Sequence, residues 1–309
     1  MLIEQFSKKF LDSLMQHDWK IPAKHDLRVS SLPYCSILDL ESRPISTQKE
    51  DFSKEFYTSI GTVVHEKVLQ NLMPKVKALG ETVFGHWQCQ TCNKVSEMGL
   101  HDEQRKKVVR GCKQKSKCSE RFKYEEIAFK YKLLTGHLDL LALSDGNYVP
   151  FEFKTTGSAL FQPNSYVEKY FPLVKHVYQL KLYNTLLRMQ YGIKCNEYNI
   201  VYFNRDKPQY KLYNSKFTED DFKFFKAKIR QANIGYKAVN KWYITKDIEQ
   251  LKIIVDSKPC KKVEDYNDYM KYKFFGKEVC PHFSNNKCMK TPNKLIKDIV
   301  LKQKKWSTK

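Results

Sequence analysis

Hydrophobic and polar positions repeat with different periods along the chain, and the periods predict its elements. Near the start Ile3, Phe6, Phe10, Leu14 and Met15 recur at helical spacing with charges between them, so residues 1–19 read as an amphipathic helix. Residues 26–50 hold no period, and Ser30-Ser31-Leu32-Pro33-Tyr34-Cys35 reads as a turn. A second helix is expected over 55–79, carrying GTVVHEKVLQNL. Residues 86–122 then break the pattern, being polar, basic and rich in cysteine, as an inserted module would be. Strands are expected near 123–133, 136–143 and 148–154. A long helix over 164–191 has Tyr178, Leu182 and Leu186 at steps of four. NIVYFNRD (199–206) and QYKLYN (209–214) read as two more strands, 217–240 as a helix, and the tail from 257 as a Lys-rich basic segment. No internal repeat is present. The order predicts an α/β fold, a mixed sheet covered by helices.

Charge narrows the partners. The 309 residues carry 55 Lys and Arg against 34 Asp and Glu, a formal charge of +21, which attracts a polyanion, nucleic acid before an acidic membrane. The 19 Tyr and 19 Phe favour nucleic acid, since bases stack on rings. No apolar run approaches the roughly 20 residues needed to span a bilayer. The N-terminus does not read as a signal peptide, so the expected location is the cytoplasm. In a reducing compartment, nine cysteines suggest metal ligands more than disulfides.

Residues 136–154, GHLDLLALSDGNYVPFEFK, carry the candidate chemistry. Asp139 interrupts an apolar strand-like run, and a polar turn, Ser144-Asp145-Gly146-Asn147, leads into a second run ending in Glu152-Phe153-Lys154. Alternation puts Glu152 and Lys154 on one strand face, and a hairpin returns that face towards Asp139. Two carboxylates and an ammonium at a sheet edge suit a hard divalent cation and an activated water. Asp221-Phe222-Lys223 repeats the Asp-x-Lys pattern, but in a helix-like segment with no acidic strand before it.

Flanking residues sharpen the pattern. In order, the chain reads Gly61-x-x-x-His65, Gly136-x-x-Asp139, Glu152-x-Lys154 and Gln179-x-x-x-Tyr183. This series resembles the PD-(D/E)XK nuclease superfamily, in its RecB-like branch, over roughly residues 28–205. The branch includes nucleases of RecB and AddB type, CRISPR adaptation nucleases and phage exonucleases. The resemblance implies a restriction-endonuclease-like fold, with a mixed central sheet flanked by helices. Its parts would be an N-terminal helical part (1–85), a zinc-ribbon-like insertion (86–122), the nuclease core (123–256) and a basic C-terminal segment (257–309). It further implies that Asp139, Glu152 and the Phe153 carbonyl bind Mg²⁺ or Mn²⁺, with His65 as an imidazole ligand or tuning group. Lys154 would orient or deprotonate the attacking water, and Gln179 and Tyr183 would hold Lys154 or the DNA backbone. The implied function is a metal-dependent DNA nuclease, an exonuclease or a flap or single-strand nuclease, in recombination, replication or repair, with phage as one source. The alternatives are a non-catalytic DNA-binding protein on the same scaffold and a CRISPR-adaptation or anti-defence nuclease. No Gly-x-x-x-x-Gly-Lys-[Ser/Thr] run is present, so a helicase, like recombination or replication proteins, would be a separate partner. Oligomeric state is not legible.

The cysteines fall into two groups. Cys89-Gln-Thr-Cys92 has knuckle spacing, and Cys112 with Cys118 about twenty residues on completes a Cys₄ set for Zn²⁺, the second pair looser than usual. His86 and His101 are spare candidates. Cys35 precedes the core while Cys260, Cys280 and Cys288 follow it. In RecB-like nucleases that order implies a [4Fe–4S] cluster closing a very long loop. The tail spacing departs from the family's close run, and His282 stands near enough in sequence to replace a thiolate. Cys195 fits neither group and is expected in the core.

Overall fold

The computed structural model describes residues 27–28, 63, 82–110, 122–165, 167–245 and 247–256. The expected helix over 1–19, that over 55–79 apart from Val63, and the tail from 257 lie outside the described residues.

The organising feature is a two-residue hairpin. Asp145 and Gly146 both take positive φ, 48° and 77°, the geometry of a tight turn between right-twisted strands. It joins β7 (Leu140–Ser144) to β8 (Asn147–Thr156). Upstream lie β1 (Leu27–Arg28), β2 (Thr82–Cys89), β3 (Gly99–Leu100), helix α1 (His101–Arg110), β4 (Phe122–Glu125), β5 (Ile127–Tyr131) and β6 (Leu134–Leu138). Downstream come two short 3-10 turns, α2 (Val174–Tyr191), β9 (Glu197–Asn204), β10 (Tyr210–Lys216), α3 (Glu219–Thr245) and α4 (Ile248–Asp256).

The chain forms a mixed α/β structure. Among the described residues, seven strands make one sheet in the order β10-β9-β8-β7-β2-β3, with β4 also paired to β2. The β8–β9 pair is parallel and its neighbours are antiparallel. Parallel pairing needs a crossover, and α2 supplies it, packing on β8, β9 and β5. Strands β1, β6 and β5 form a second, three-stranded sheet.

Asp139 lies where the chain changes sheets. Residues 134–138 pair with β5 and residues 140–144 with β8, so a single run serves two sheets with Asp139 as the joint. The strand expected near 123–133 is divided for the same reason. β4 pairs with β2 of the large sheet and β5 with β6 of the small one, on either side of Glu126.

One face of the large sheet is apolar. Val83, Trp87, Tyr124, Leu140, Phe153 and Val201 form a buried cluster with Phe122, Phe151 and Phe203 against it. The other face of β8 lies under α2, whose Leu180, Leu182, Tyr183, Leu186 and Leu187 are buried. The helix ends at Gly192, in the left-handed region at φ 68°, where its N–H caps the Leu187 carbonyl. The helix expected from 164 starts only at Val174, because Pro172 lies inside the expected span and breaks it.

The chain divides into two units. Leu27–Pro33 and Val63–Asn233 form one, with both sheets. Met1–Asp26, Tyr34–Thr62 and Ile234–Lys309 form the other, in which Tyr236, Val239, Trp242, Leu251 and Ile254 are buried. Among the described residues no helix is long and apolar enough to cross a membrane.

Candidate active site

β8 sorts its side chains by alternation. Phe151 and Phe153 enter the apolar cluster, so Glu152 and Lys154 face α2. Glu152 is 1% exposed and Lys154 half-buried, and the two form an ion pair through Glu152 Oε1. The same oxygen accepts from Gln179 Nε2 of α2 at 2.8 Å. Gln179 also donates to the Tyr183 hydroxyl at 3.2 Å, one helical turn on. Tyr183 stacks on Phe129 of β5 with ring centroids 5.4 Å apart.

Asp139 enters from the joint between the sheets. It is buried, and its Oδ2 accepts the Phe153 N–H at 2.6 Å. The β7 ladder on β8 stops at the Leu140–Phe151 pair, so this carboxylate takes a main-chain donor just past the end of that ladder. Asp139 and Glu152 are thereby held beside each other by backbone geometry.

Charge follows from these contacts. Burial works against the Lys154 ammonium, but the Glu152 and Asp139 carboxylates and the Glu152 hydrogen bond outweigh it, and its pKa is held above the ordinary lysine value. Lys154 is thus a cation here, suited to stabilising developing negative charge more than to accepting a proton. Burial, with the Glu152 charge adding to it, raises Tyr183 and keeps its hydroxyl protonated.

The expected site residues divide as follows. Asp139, Glu152, Phe153, Lys154, Gln179 and Tyr183 come together. Gln179 reaches the Glu152 carboxylate where the expectation gave it the Lys154 ammonium or DNA. His65, Cys35, Cys112, Cys118, Cys260, Cys280, His282 and Cys288 lie outside the described residues. Asp221 opens α3 as a cap: it accepts the Thr218 N–H while Thr218 Oγ1 accepts the Asp221 N–H, and it pairs with Lys181 at 2.7 Å. Cys195 is buried, and burial pushes its thiol up to about 12.

Three residues join the neighbourhood without having been expected. Tyr202 of β9 is the register partner of Lys154, so it shares that face. His176 sits one turn before Gln179, and its Nδ1 lies 2.7 Å from the Tyr202 hydroxyl. A His three places before a Gln on one helix face was the signal available. Glu126, between β4 and β5, acts by its charge on Lys154.

Two donor sets bear on metals. The two buried carboxylates of Asp139 and Glu152 are oxygen donors of the kind a hard divalent cation takes. Among the described residues, no three His, Cys, Asp or Glu side chains group closely enough to hold an ion by themselves. The second set is the turn after β2. The Cys89 N–H donates to the Lys94 carbonyl at 3.0 Å, the Asn93 N–H to the Cys89 carbonyl at 2.8 Å, and Asn93 takes φ 55°. That left-handed residue directly after Cys-x-x-Cys folds the chain back into a tight hairpin, closed by the Gln88–Val95 bridge. Cys89 is buried and Cys92 half-buried.

No protein-family model matches the chain, and no curated protein matches it. Among solved structures, the crystal structure of SSO0001 is 16% identical, covering 74% of this chain and 86% of that one, at a TM-score of 0.31. That of LHK-Exo in complex with dAMP is 10% identical, covering 73% and 94%, at a TM-score of 0.40. Likeness at that level carries no functional weight, and the site must be read from its own residues.

Proposed function

We propose that this chain is a divalent-metal-dependent DNA nuclease of the PD-(D/E)XK type. One observation carries the reading: Asp139, the Glu152–Lys154 pair and Gln179 with Tyr183 are tied by hydrogen bonds around a single stretch of β8. A helix–sheet contact has no need to bury two carboxylates beside a cation, since ionic groups are costly to desolvate.

In this reading Asp139, Glu152 and the Phe153 carbonyl hold Mg²⁺ or Mn²⁺, with His65 as the remaining protein ligand. The ion supplies polarisation of the scissile phosphate and a lowered pKa for water. Lys154 orients the attacking water and offsets the charge that grows on the phosphoryl oxygens. Gln179 fixes the Glu152 carboxylate, and Tyr183 fixes Gln179. Cys89 and Cys92, with Cys112 and Cys118, hold a structural Zn²⁺. Cys35, Cys260, Cys280 and Cys288 hold a [4Fe–4S] cluster. DNA ends, flaps or single strands are the substrates.

A digest of labelled single-stranded and duplex oligonucleotides tests this, in Mg²⁺, in Mn²⁺ and with chelator. Asp139→Asn keeps an oxygen to accept the Phe153 N–H, and Lys154→Gln keeps a donor to Glu152, so both variants should fold. Cleavage is expected only with metal, and neither variant should cleave, though both still bind DNA. Cleavage surviving in both would overturn the site. Binding without cleavage by the unmodified protein would make it a DNA-binding scaffold.

A further inference from the structure

His176 is paired with Tyr202. The Tyr202 hydroxyl accepts the Leu173 N–H at 3.0 Å, and His176 Nδ1, 2.7 Å away, is the acceptor among its described contacts for the hydroxyl's own hydrogen, which is the ground for assigning the tautomer. An imidazole nitrogen that accepts leaves the ring hydrogen on the other, here Nε2. Burial, then the charges of Lys154 and Lys175, hold the ring's pKa well below the ordinary histidine value, so it is neutral at pH 7. The result is a neutral donor with a defined tautomer.

Its position follows from strand register. Lys154 and Tyr202 are partners on adjacent parallel strands, on the same face and one strand spacing apart. His176 lies against Tyr202, with ring centroids 5.6 Å apart, and the exposed Lys175 precedes it on the first turn of α2. Lys154, Lys175 and His176 therefore gather near the carboxyl ends of β8 and β9, where α/β sheets place their ligand crevices. Lys175 is a second cation beside the Glu152–Lys154 pair, and both ammonium groups act by their charge on His176, so an anionic phosphate oxygen is attracted there.

Resting on the nuclease reading, we propose that His176 Nε2–H donates to a non-bridging oxygen of the backbone phosphate next to the one cleaved, with Lys175 as its counter-charge. The group recognised is a nucleic-acid phosphodiester. His176 would bind and register the strand while Lys154 serves the reacting phosphate.

Two variants separate this from a structural role. In His176→Asn the amide oxygen can still accept from Tyr202, but nothing reaches the Nε2 position. In His176→Gln the amide nitrogen reaches that position. The full-length protein is tested in Mg²⁺ on oligonucleotides with one methylphosphonate, a linkage without the anionic oxygen, stepped along the strand. For His176→Asn, KM is expected to rise about tenfold, as for loss of a hydrogen bond to a charged group, with kcat little changed and an unaltered melting temperature. His176→Gln should recover most of the loss. A single methylphosphonate position should weaken the unmodified protein and leave His176→Asn unaffected, the signature of two changes removing one interaction. Equal losses for both proteins at every position would overturn the proposal while the nuclease reading stood, as would a fall in kcat alone. Absence of any cleavage by the unmodified protein would remove both.

Discussion

Gln179 is a positioning residue with an unusually direct line to the site, a 2.8 Å bond to a fully buried carboxylate oxygen. Without it, Glu152 would keep Lys154 but lose a fixed orientation. Gln179→Ala should therefore raise the Mg²⁺ concentration for half-maximal cleavage by about tenfold, the usual scale for losing a group that orients a ligand. A metal titration of the digest checks it. His176 makes a separate prediction about stability. Its folded pKa is depressed, by burial and then by Lys154 and Lys175, so below the ordinary value of about 6.5 the unfolded chain takes up a proton that the native chain refuses. Stability is complete above that value and falls as pH drops beneath it. Melting temperature should decline between pH 7 and 5, less steeply in His176→Asn. At this scale much was legible. Glu152 and Lys154 share a face by alternation, and Gln179 and Tyr183 by helical repeat. Tyr202 was not, because only the parallel register of β8 with β9 brings it beside Lys154, and local sequence carries no record of that register.

Elements were read well where one period dominated and poorly where chemistry or proline masked it. β7 and β8 follow from two apolar runs about an Asp-Gly turn. β2 was hidden, although Val83, Gly85, Trp87 and Cys89 alternate as its buried face, because polar His86 and Gln88 and the adjoining knuckle suggested an insertion already under way. The long helix lost its first ten positions, 164–173, to Pro172. Gly85 tests the β2 assignment. A Cβ built there would lie 2.4 Å from the Tyr124 ring, and Tyr124 is packed edge-on against Trp87 in the core. Gly85→Ala should therefore destabilise the protein by about 1–3 kcal/mol, the range for overpacking, measured by denaturant titration. At the start of α3, Thr218→Ala should cost about 1 kcal/mol by removing the cap shared with Asp221.

On the scale of the whole molecule, charge of +21 is the largest single property of the sequence. If it serves DNA, affinity should fall steeply with salt, by about a thousandfold between 50 and 200 mM for six or more phosphate contacts, and a flat response would count against it. Anaerobic metal analysis with an absorption spectrum should find zinc and an iron–sulfur chromophore together. The two sheets joined at Asp139 were not legible, since the sequence shows one apolar run where the fold uses two partners. The course of β2 has a practical corollary for anyone wishing to trim the protein. Its first residues pair with β7, its last is Cys89, and Trp87 between them packs in the layer that also holds Phe153. Excising residues 86–122 as a detachable cassette would bisect a strand and strip the apolar layer beneath Glu152 and Lys154. A shortened version should retain 82–110 and 122–125, because the main-chain and indole N–H groups of Trp87 donate to Ser96 and Gly99 and Val108 packs on Cys89.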